Sequence, residues 1–232
     1  MTISVVIPAY NEEHTLPTCL QALKSQTTPP LEIIVVDNNS TDRTAEVARS
    51  FGAKVVHESV KGITPARQRG FQEAKGDIIA RTDADTISPA NWLALIEETF
   101  TAHPDAVGVT GKTDYYDLPP MRHKLSQVIA KGYIPFLYHL FGHTLMFGYC
   151  MAIKRDCVPN IVPAPDKEVH EDFNLSCQLV KYGPIIFNPQ IVMRTSGRRI
   201  IHNPKSYFLE YGLRIIKTLR YNRRYHNQAK LG

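Results

Sequence analysis

Gly76-Asp-Ile-Ile-Ala-Arg-Thr-Asp-Ala-Asp-Thr86 is the stretch around which the rest of the sequence can be organised. The apolar run Ile78 to Ala80 is typical of a buried strand, and it leads directly into Asp83-Ala84-Asp85. Ligands usually bind at the carboxyl ends of strands in open α/β sheets. Two carboxylates one residue apart repel each other unless a cation or a proton intervenes. The stretch therefore predicts a divalent cation at Asp83 and Asp85, with simple turn formation as the alternative.

Strand and helix patterns alternate four times in about 100 residues around this stretch. The predicted strands are short, apolar and rich in β-branched residues: Ile3–Ile7, Leu31–Val36, Ala53–His57 and Ile78–Ala80. The helices predicted to follow them begin near Glu12, Thr41, Thr64 and Ser88. Such alternation predicts an α/β fold built from βαβ units, with a mostly parallel sheet and right-handed crossovers.

The second half of the chain is less regular. Its predicted strands cover residues 106–111, 145–153, 184–188 and 190–195, and its predicted helices cover 121–140, 171–182 and 204–224. A loop is predicted over 159–166, where three prolines occur. No repeat, linker or low-complexity segment interrupts the 232 residues, so one domain is expected.

Charge and cysteine content narrow the classes of partner and compartment. The formal net charge of +5 and the pI of about 9.0 favour anionic partners: nucleotide diphosphates, acidic membrane surfaces or nucleic acid. The four cysteines form no Cys-x-x-Cys pair, which is typical of reduced thiols in a cytoplasmic protein. Neither a signal peptide nor an uninterrupted apolar run of about 18 residues is apparent, so a cytoplasmic protein is expected.

Three further polar groups stand where chemistry would be expected. Asp37 follows the second strand and is suited to accept hydrogen bonds from a base or ribose. Glu171-Asp172 begins a predicted helix, where acids complement the helix dipole, and Asp172 would alternatively take a proton from a hydroxyl. Ser196-Gly-Arg-Arg199 carries two guanidinium groups that would clamp a diphosphate or remain solvated surface charge.

The ordered series of motifs resembles family 2 glycosyltransferases of the GT-A fold. The motifs are Ser4–Glu13, Ile34–Asp42, Ala66–Gly70, Asp83–Asp85, Gly148–Asp156 and His170–Asp172. The resemblance implies a Rossmann-like, mostly parallel central sheet flanked by helices, with a short antiparallel acceptor-side part. It also implies a nucleotide-diphospho-sugar donor (a UDP- or GDP-sugar), a divalent cation (Mn²⁺ or Mg²⁺) and inversion at the anomeric carbon. On this basis residues 1–105 would form the nucleotide-sugar half, 106–203 the acceptor and catalytic half, and 204–232 a basic amphipathic helix.

The resemblance also implies roles for individual residues. The nucleoside pocket would be lined by Pro8, Ala9, Tyr10, Glu12 and Asp37. Arg67 or Arg69 would lie by the base or diphosphate, and Ser196, Arg198 and Arg199 would close over the diphosphate. In the donor-binding motif Asp83-Ala84-Asp85, Asp83 would face the ribose and metal, and Asp85 would ligate the metal. Gly148 and Glu171 would lie on the acceptor side, Asp172 would be the catalytic base, and His202 would be the third metal ligand by its position after the arginines. The chain departs from the family at Asp37-Asn38, where many members carry two aspartates.

The acceptor is left open as a saccharide, a lipid-linked molecule or a small molecule. The predicted 204–224 helix has an apolar stripe flanked by cations: Phe208, Tyr211, Ile215 and Leu219, with Arg214, Lys217, Arg220, Arg223 and Arg224. Such a helix would lie on an anionic membrane or pack on the sheet with its basic face in solvent.

Three other classes of protein were weighed against a glycosyltransferase. A nucleotidyltransferase would be expected to show a glycine-rich phosphate loop after the first strand, where this chain has Ala9-Tyr10-Asn11-Glu12. A nucleic-acid-binding module would need stacking aromatic residues on a recognisable scaffold, so no nucleic-acid partner is expected. A non-catalytic sugar-nucleotide-binding protein would lack a base, which Glu171-Asp172 argues against.

Overall fold

The computed structural model describes residues 1–163, 169–202, 210 and 212–222. Its strands are β1 Ile3–Ala9, β2 Glu32–Asp37, β3 Lys54–His57, β4 Ile78–Arg81, β5 Thr86–Ile87, β6 Gly108–Tyr115, β7 Met151–Lys154 and β8 Ile185–Thr195. Its helices are α1 Leu16–Lys24, α2 Thr44–Ser50, α3 Ile63–Glu73, α4 Trp92–Ala102, α5 Pro120–Phe141, α6 Glu171–Leu179 and α7 Arg198–His202, with α8 over 212–222. A 3₁₀ helix covers Arg155–Asn160.

The eight strands form one sheet in the order β3-β2-β1-β4-β7-β6-β8-β5. The strands β3, β2, β1 and β4 are parallel, as the alternation of strands and helices predicts. On the other side, β7 is antiparallel to β4 and β6, β8 is parallel to β6, and β5 is antiparallel to β8. The sheet therefore has a parallel part followed by a mixed part, and it places the carboxyl ends of β1, β2 and β4 along one edge.

The core lies on both faces of the sheet because successive residues of β1 point in opposite directions. Val5 and Ile7 pack in one apolar cluster with residues of α1 and α4, including Leu20 and Trp92. Val6 packs in a second cluster with residues of α3 and α6 on the other face. Every residue of β1 is buried, which explains why its sequence is apolar on both sides rather than alternating.

Several boundaries differ from the sequence-based prediction. The first helix begins at Leu16 rather than Glu12, because the backbone N–H of Glu12 donates to the Thr44 hydroxyl in a turn before the helix. The strand predicted over 145–153 begins only at Met151 as β7, since Phe147 and Cys150 pair with each other in a tight turn around Gly148. The two short strands predicted over 184–188 and 190–195 are the single strand β8.

Some predicted features fall outside the described residues, and three short elements were not predicted: β5, α7 and the 3₁₀ helix Arg155–Asn160, which overlaps the start of the predicted loop. The helix predicted over 204–224 is helical at 210 and over 212–222, whereas Phe208, Tyr211, Arg223 and Arg224 lie outside the described residues. The loop predicted over 159–166 lies partly in the undescribed stretch 164–168. The strand β5 and the short helix α7 were missed because each is too short to show a periodic pattern.

Gly70 brings α3 directly against the sheet. A Cβ atom on Gly70 would lie 2.3 Å from Cγ1 of Val6 and 3.0 Å from Cγ2 of Val36. Both neighbours belong to buried strands, so neither has room to move away. This close approach gives the glycine of the Ala66–Gly70 motif a packing role.

Replacing Gly70 with alanine is expected to lower the free energy of unfolding by about 1–3 kcal/mol through overpacking. Gly132→Ala is the matched control, because Gly132 also lies within a helix but has nothing within 4 Å of its built Cβ. The control is expected to raise the free energy of unfolding by up to about 1 kcal/mol, since alanine favours helix. Urea unfolding of the three proteins measures both effects, and equal values for the two variants would contradict the packing role.

Candidate active site

The carboxylates of the Asp83-Ala84-Asp85 motif lie just beyond β4, in the loop that leads to β5. The Asp83 side chain is 39% exposed, whereas that of Asp85 is 13% exposed. Ala84 is buried in the core, which fixes the loop between the two acids. Burial and the charge of Asp83 raise the pKa of Asp85 to about 6, although Arg198 opposes this rise. The motif therefore concentrates negative charge at the sheet edge.

Arg198 connects the segment after β8 to the segment after β1 and to the loop after β4 at this edge. Its guanidinium group donates to both carboxylate oxygens of Glu12 and lies 3.1 Å from Oδ2 of Asp85. The loop that carries it is fixed by Asp117, which accepts hydrogen bonds from the Ser196 hydroxyl and the Gly197 N–H. Glu12, Asp85, Ser196 and Arg198 are therefore brought together as the sequence predicts, and Asp117 is an anchor that the sequence did not reveal.

Two later residues of the same segment, Arg199 and His202, are exposed. The charge of Arg199 helps to lower the pKa of Asp85. His202 lies at the end of α7. Within the described ranges no three His, Cys, Asp or Glu side chains are grouped to hold a metal ion, so His202 is not brought into a set with Asp83 and Asp85. This corrects the prediction for His202, which followed only from its place in the sequence.

The carboxylate pair nevertheless suits a hard divalent cation. Asp83 and Asp85 supply oxygen ligands, and burial together with the charge of Asp83 raises the pKa of Asp85, so a bound cation would favour the ionised carboxylate. Divalent cations in phosphate-binding sites commonly use one or two carboxylates and complete their coordination with water and substrate phosphates. Two carboxylates at this edge fit that pattern without a third protein ligand.

The ends of β1 and β2 form the neighbouring part of the edge. Ala9 is paired with Asp37 in the register of the two strands, and Pro8 and Ala9 are buried. Tyr10 is 42% exposed, and Lys61 lies 4.2 Å from its ring centroid and donates to its hydroxyl. Tyr10 and Asp37 thus lie at one sheet edge as predicted, and Lys61 adds a cation and an aromatic contact that sequence reasoning missed.

Asn38 explains why this chain departs from the family pattern of two aspartates. Its side-chain amide donates to the carbonyl oxygens of Glu58 and Val60, while its oxygen accepts from the Gly62 N–H. An ionised aspartate could accept but could not donate, so it would leave both carbonyl groups without these partners. The amide at this position therefore holds the 58–62 loop, which also carries Lys61, against the end of β2.

Glu171 is buried between two arginines, and this ion cluster supports the other half of the site. Arg67 and Arg81 have side chains that are 2% exposed, and both donate to the Glu171 carboxylate, which is 10% exposed. Arg81 also lies 3.4 Å from Oδ1 of Asp83. Burial raises the pKa of Glu171, but the charges of Arg81 and Arg67 outweigh it and hold that pKa below its usual range.

The cluster changes the roles expected for the two arginines of α3. Arg67 was predicted beside the base or diphosphate, yet its guanidinium group lies on Glu171 inside the protein. Arg69 is 43% exposed and pairs with Glu73 one helical turn away. Glu171 was predicted on the acceptor side, and it lies beneath that side as a buried partner of Arg67 and Arg81. A buried carboxylate needs such cationic partners, which accounts for these placements.

Asp172 follows Glu171 and contacts the backbone of Gly148. Its Oδ2 accepts from the Gly148 N–H at 3.2 Å, and its Oδ1 accepts from the Phe173 N–H at 3.0 Å. The side chain is 17% exposed, and Nδ1 of His170 lies 3.8 Å from Oδ1. Burial and the charge of Glu171 raise the pKa of Asp172 to about 7. A carboxylate with this pKa is suited to accept a proton at neutral pH.

Gly148 lies between Asp172 and the Asp83 side of the site. A Cβ atom on Gly148 would lie 2.8 Å from Nη2 of Arg81 and 3.4 Å from Oδ1 of Asp83. The backbone N–H of Gly148 meanwhile donates to Asp172. The carboxylate groups at 83 and 172 therefore approach the same short backbone segment, and the structure brings the two predicted halves of the site together.

Arg81 is the main site residue that sequence reasoning missed. It lies within Gly76–Thr86, directly after the predicted strand Ile78–Ala80, and the sequence pattern gives it no role. A signal was present, because an arginine that closes the buried run Ile78–Arg81 must find an acidic partner inside the protein. Its partner, Glu171, is 90 residues away in the sequence, so the pair was not identifiable from spacing.

The fold is that of the GT-A glycosyltransferases, as expected. The chain matches the mannosyltransferase PcManGT from Pyrobaculum calidifontis, solved with GDP-Man and Mn²⁺, with a TM-score of 0.74 and 19% identity over 96% of this chain and 64% of that chain. It also matches glucosyl-3-phosphoglycerate synthase from Mycobacterium tuberculosis, solved with Mn²⁺, UDP and phosphoglyceric acid. That match has a TM-score of 0.71 and 22% identity over 95% of this chain and 78% of that chain.

The sequence relationship identifies the family. The family described as Glycosyl transferase family 2 matches residues 4–160, and the chain belongs to this family. Glycosyltransferase AglE from Haloferax volcanii is 37% identical over 99 residues, which cover 39% of this chain and 33% of that protein. The matched region thus spans about a third of the length of this relative. The resemblance seen in the ordered motifs is confirmed.

Removal of the Glu171 charge is expected to destabilise the protein by about 3–5 kcal/mol, because Glu171→Gln leaves two buried guanidinium groups without their shared carboxylate. Glu73→Gln is the matched control, since Glu73 forms its ion pairs with Lys54 and Arg69 near the surface. The control is expected to cost less than about 1 kcal/mol. Chemical denaturation provides the comparison, and similar losses in the two variants would contradict the supporting role of Glu171.

Proposed function

We propose that this chain transfers a sugar from a nucleotide-diphospho-sugar to a hydroxyl acceptor, with inversion at the anomeric carbon. Membership of glycosyltransferase family 2 supports the reaction class. The observation that carries the mechanism is the position of Asp172, which accepts a hydrogen bond from the Gly148 N–H, while Oδ1 of Asp83 would lie 3.4 Å from a Cβ atom on the same residue. A candidate base and a donor-side carboxylate pair that meet at one residue fit a direct displacement.

In this mechanism the acceptor oxygen forms a bond to the anomeric carbon while the bond from that carbon to the diphosphate oxygen breaks. The electron pair of the broken bond leaves with the diphosphate, and the acceptor proton passes to Asp172. The acceptor attacks from the face opposite the leaving group, so the configuration inverts, and the base works as the water-activating carboxylate does in inverting glycosidases. The hydrogen bonds from Gly148 and Phe173 hold the Asp172 carboxylate in place for this transfer.

Donor binding is assigned to the edge formed by β1, β2 and the loop after β4. Tyr10 and Asp37 would contact the nucleoside, and Lys61 extends this surface with a positive charge. Arg198 is 39% exposed, and Arg199 is exposed beside it, so both would reach the diphosphate. A divalent cation held by Asp83 and Asp85 would supply positive charge that stabilises the leaving diphosphate.

The nucleotide is proposed to be UDP or GDP. The two similar structures described above contain GDP-Man in one case and UDP in the other, each with Mn²⁺. At the donor edge of this chain, the hydrogen-bonding groups of Asp37, Tyr10 and Lys61 would suit either uracil or guanine. One experiment that varies both the nucleotide and the metal ion is therefore needed.

Asp172→Asn is expected to lower the rate of transfer by about 10²–10⁴-fold, because the amide cannot accept the acceptor proton. Donor binding should remain within about twofold of wild type, since the proposed donor groups Asp83, Asp85 and Arg198 are unchanged and Asp172 is hydrogen-bonded to Gly148 and Phe173 instead. Product formation and donor titration by calorimetry measure the two quantities. Undiminished transfer in this variant would remove Asp172 from the mechanism.

The same assignment fixes the direction of the pH dependence. With its pKa raised to about 7, Asp172 is protonated below that pH and cannot act as a base. The rate in wild type should therefore rise by about tenfold per pH unit below 7 and level off above it. If wild type bound the donor at every pH but transferred no sugar to any acceptor, a non-catalytic sugar-nucleotide-binding protein would be favoured.

Asp85→Ala is expected to abolish the stabilisation that Mn²⁺ gives to the donor complex, because the buried metal-binding carboxylate is lost. A thermal-shift panel of UDP-, GDP- and dTDP-sugars with and without Mn²⁺ measures this and names the nucleotide. Asp105→Ala is the control, since Asp105 is exposed before β6 at the opposite edge of the sheet. Full transfer by wild type in excess chelator would refute a metal requirement.

A further inference from the structure

The helix α5 presents apolar side chains to solvent. Only Leu137 is buried among its 22 residues. Its exposed large apolar residues include Met121, Leu125, Val128, Ile129, Phe136 and Leu140. Their spacing of three, four and seven residues places them on one face of the helix. Met121 is 86% exposed and Val128 is 66% exposed, so this apolar face points away from the protein.

The opposite face of α5 is fixed by polar contacts. Nε2 of His123 lies 2.6 Å from Oδ1 of Asp114, and the Gln127 amide donates to the same oxygen at 2.7 Å. Near the other end, Leu137 packs with Leu145 and Phe173. These inward contacts set the orientation of α5, and they leave its apolar face exposed to solvent.

The helix α8 packs against the same apolar cluster as α5. Ile215 packs against the cluster that contains Leu137 and Phe173, and the Thr218 hydroxyl accepts from the His170 N–H. On its outer side, Leu213 is 59% exposed and Ile216 is 47% exposed. The two helices thus meet at one small apolar cluster, and each turns further apolar residues outward.

The charged side chains of these two helices are cationic, and the described acid nearest to α8 in the sequence is the exposed Glu210, which is helical just before α8. The sequences of α5 and α8 contain no Asp or Glu, and they contribute six cations: Arg122, Lys124, Lys131, Arg214, Lys217 and Arg220. A second copy of the chain would place these cations against their own counterparts. An anionic lipid bilayer instead offers both an apolar interior for the exposed side chains and negative charge for the cations.

We propose that α5 and α8 together form a surface that binds anionic lipid bilayers from one side. In the part of the chain that the structure describes, no helix is long and apolar enough to cross a membrane, and the proposed surface requires only that two helices lie in the interface. The apolar residues would enter the headgroup region, and the cations would contact lipid phosphates.

The proposed surface adjoins the acceptor side of the site. Phe173 packs in the cluster shared by both helices and follows directly after Asp172. A molecule bound through α5 and α8 would therefore hold the Asp172 carboxylate close to the lipid headgroups. This consequence rests on the proposed glycosyl transfer, and it favours an acceptor carried by a lipid.

Vesicle flotation without donor tests the surface directly. The wild-type chain is expected to float with phosphatidylcholine vesicles that contain phosphatidylglycerol, and to bind pure phosphatidylcholine more weakly. The double variant Leu125→Glu, Val128→Glu should lose at least about tenfold in binding, because it places two acids in the apolar face. Leu31→Glu is the matched control, since Leu31 is 52% exposed before β2, away from both helices, and should bind as wild type.

A second variant separates charge from apolar insertion. Lys124→Ala, Lys131→Ala should bind the anionic vesicles roughly thirtyfold more weakly, because each cation near such a surface contributes substantially to binding. High salt should reduce wild-type binding in the same direction. Equal binding to neutral and anionic vesicles, or flotation unchanged in both double variants, would overturn the proposal.

Light scattering after gel filtration tests whether a second copy of the chain, rather than a lipid bilayer, covers the surface of α5 and α8. One contrary result would be a wild-type protein that forms a dimer and does not float, while the double variant Leu125→Glu, Val128→Glu is a monomer. That result would assign the surface to a second copy of the chain and overturn lipid binding. The thermal shift caused by donor should be unchanged in this variant, which shows that the fold and the donor edge are intact. Failure of glycosyl transfer would leave the flotation result standing, so the two proposals fail separately.

Discussion

The shared ion pair of Glu171 with Arg67 and Arg81 is the interaction on which the site depends. It joins α3, β4 and the start of α6 at a point where all three side chains are buried. Desolvation of these charges costs free energy, and mutual pairing is what offsets it. The arrangement has two consequences for the neighbours of Glu171. It fixes the start of α6, which directs Asp172 towards Gly148. The negative charge of Glu171 adds to burial in raising the pKa of Asp172, and the charge of Arg81 opposes this rise.

A second electrostatic group organises the donor edge, and it differs from the first in exposure. Glu12, Asp85 and Arg198 come from three distant segments of the chain, and the guanidinium group of Arg198 bridges the two acids. Because Arg198 is 39% exposed, its charge is accessible from outside, unlike the buried charge of Arg81. The buried group therefore supports the geometry, while the more open group offers charge to a ligand.

Sequence patterns predicted the parallel part of the fold, and they predicted that Tyr10, Asp37, Asp83 and Asp85 lie at the ends of its strands, because those signals are local. Apolar runs that end in Asp37 or Asp83 mark strand ends without any knowledge of the partners. The patterns did not identify the buried pairing of Arg81 with Glu171, since that contact depends on two distant segments meeting. They also assigned Arg67 to the ligand, because an arginine in a motif looks the same whether its partner is a phosphate or a buried carboxylate.

The absence of a side chain at Gly148 limits how the acceptor side can diversify. Any larger residue there would meet the guanidinium group of Arg81, which is already held by Glu171, before it met a substrate. At Gly148 the proposed acceptor side thus presents backbone atoms rather than a side chain. Proteins that share this architecture and keep the buried ion pair would have to vary their acceptor preference through other segments, such as the neighbouring helices α5 and α8.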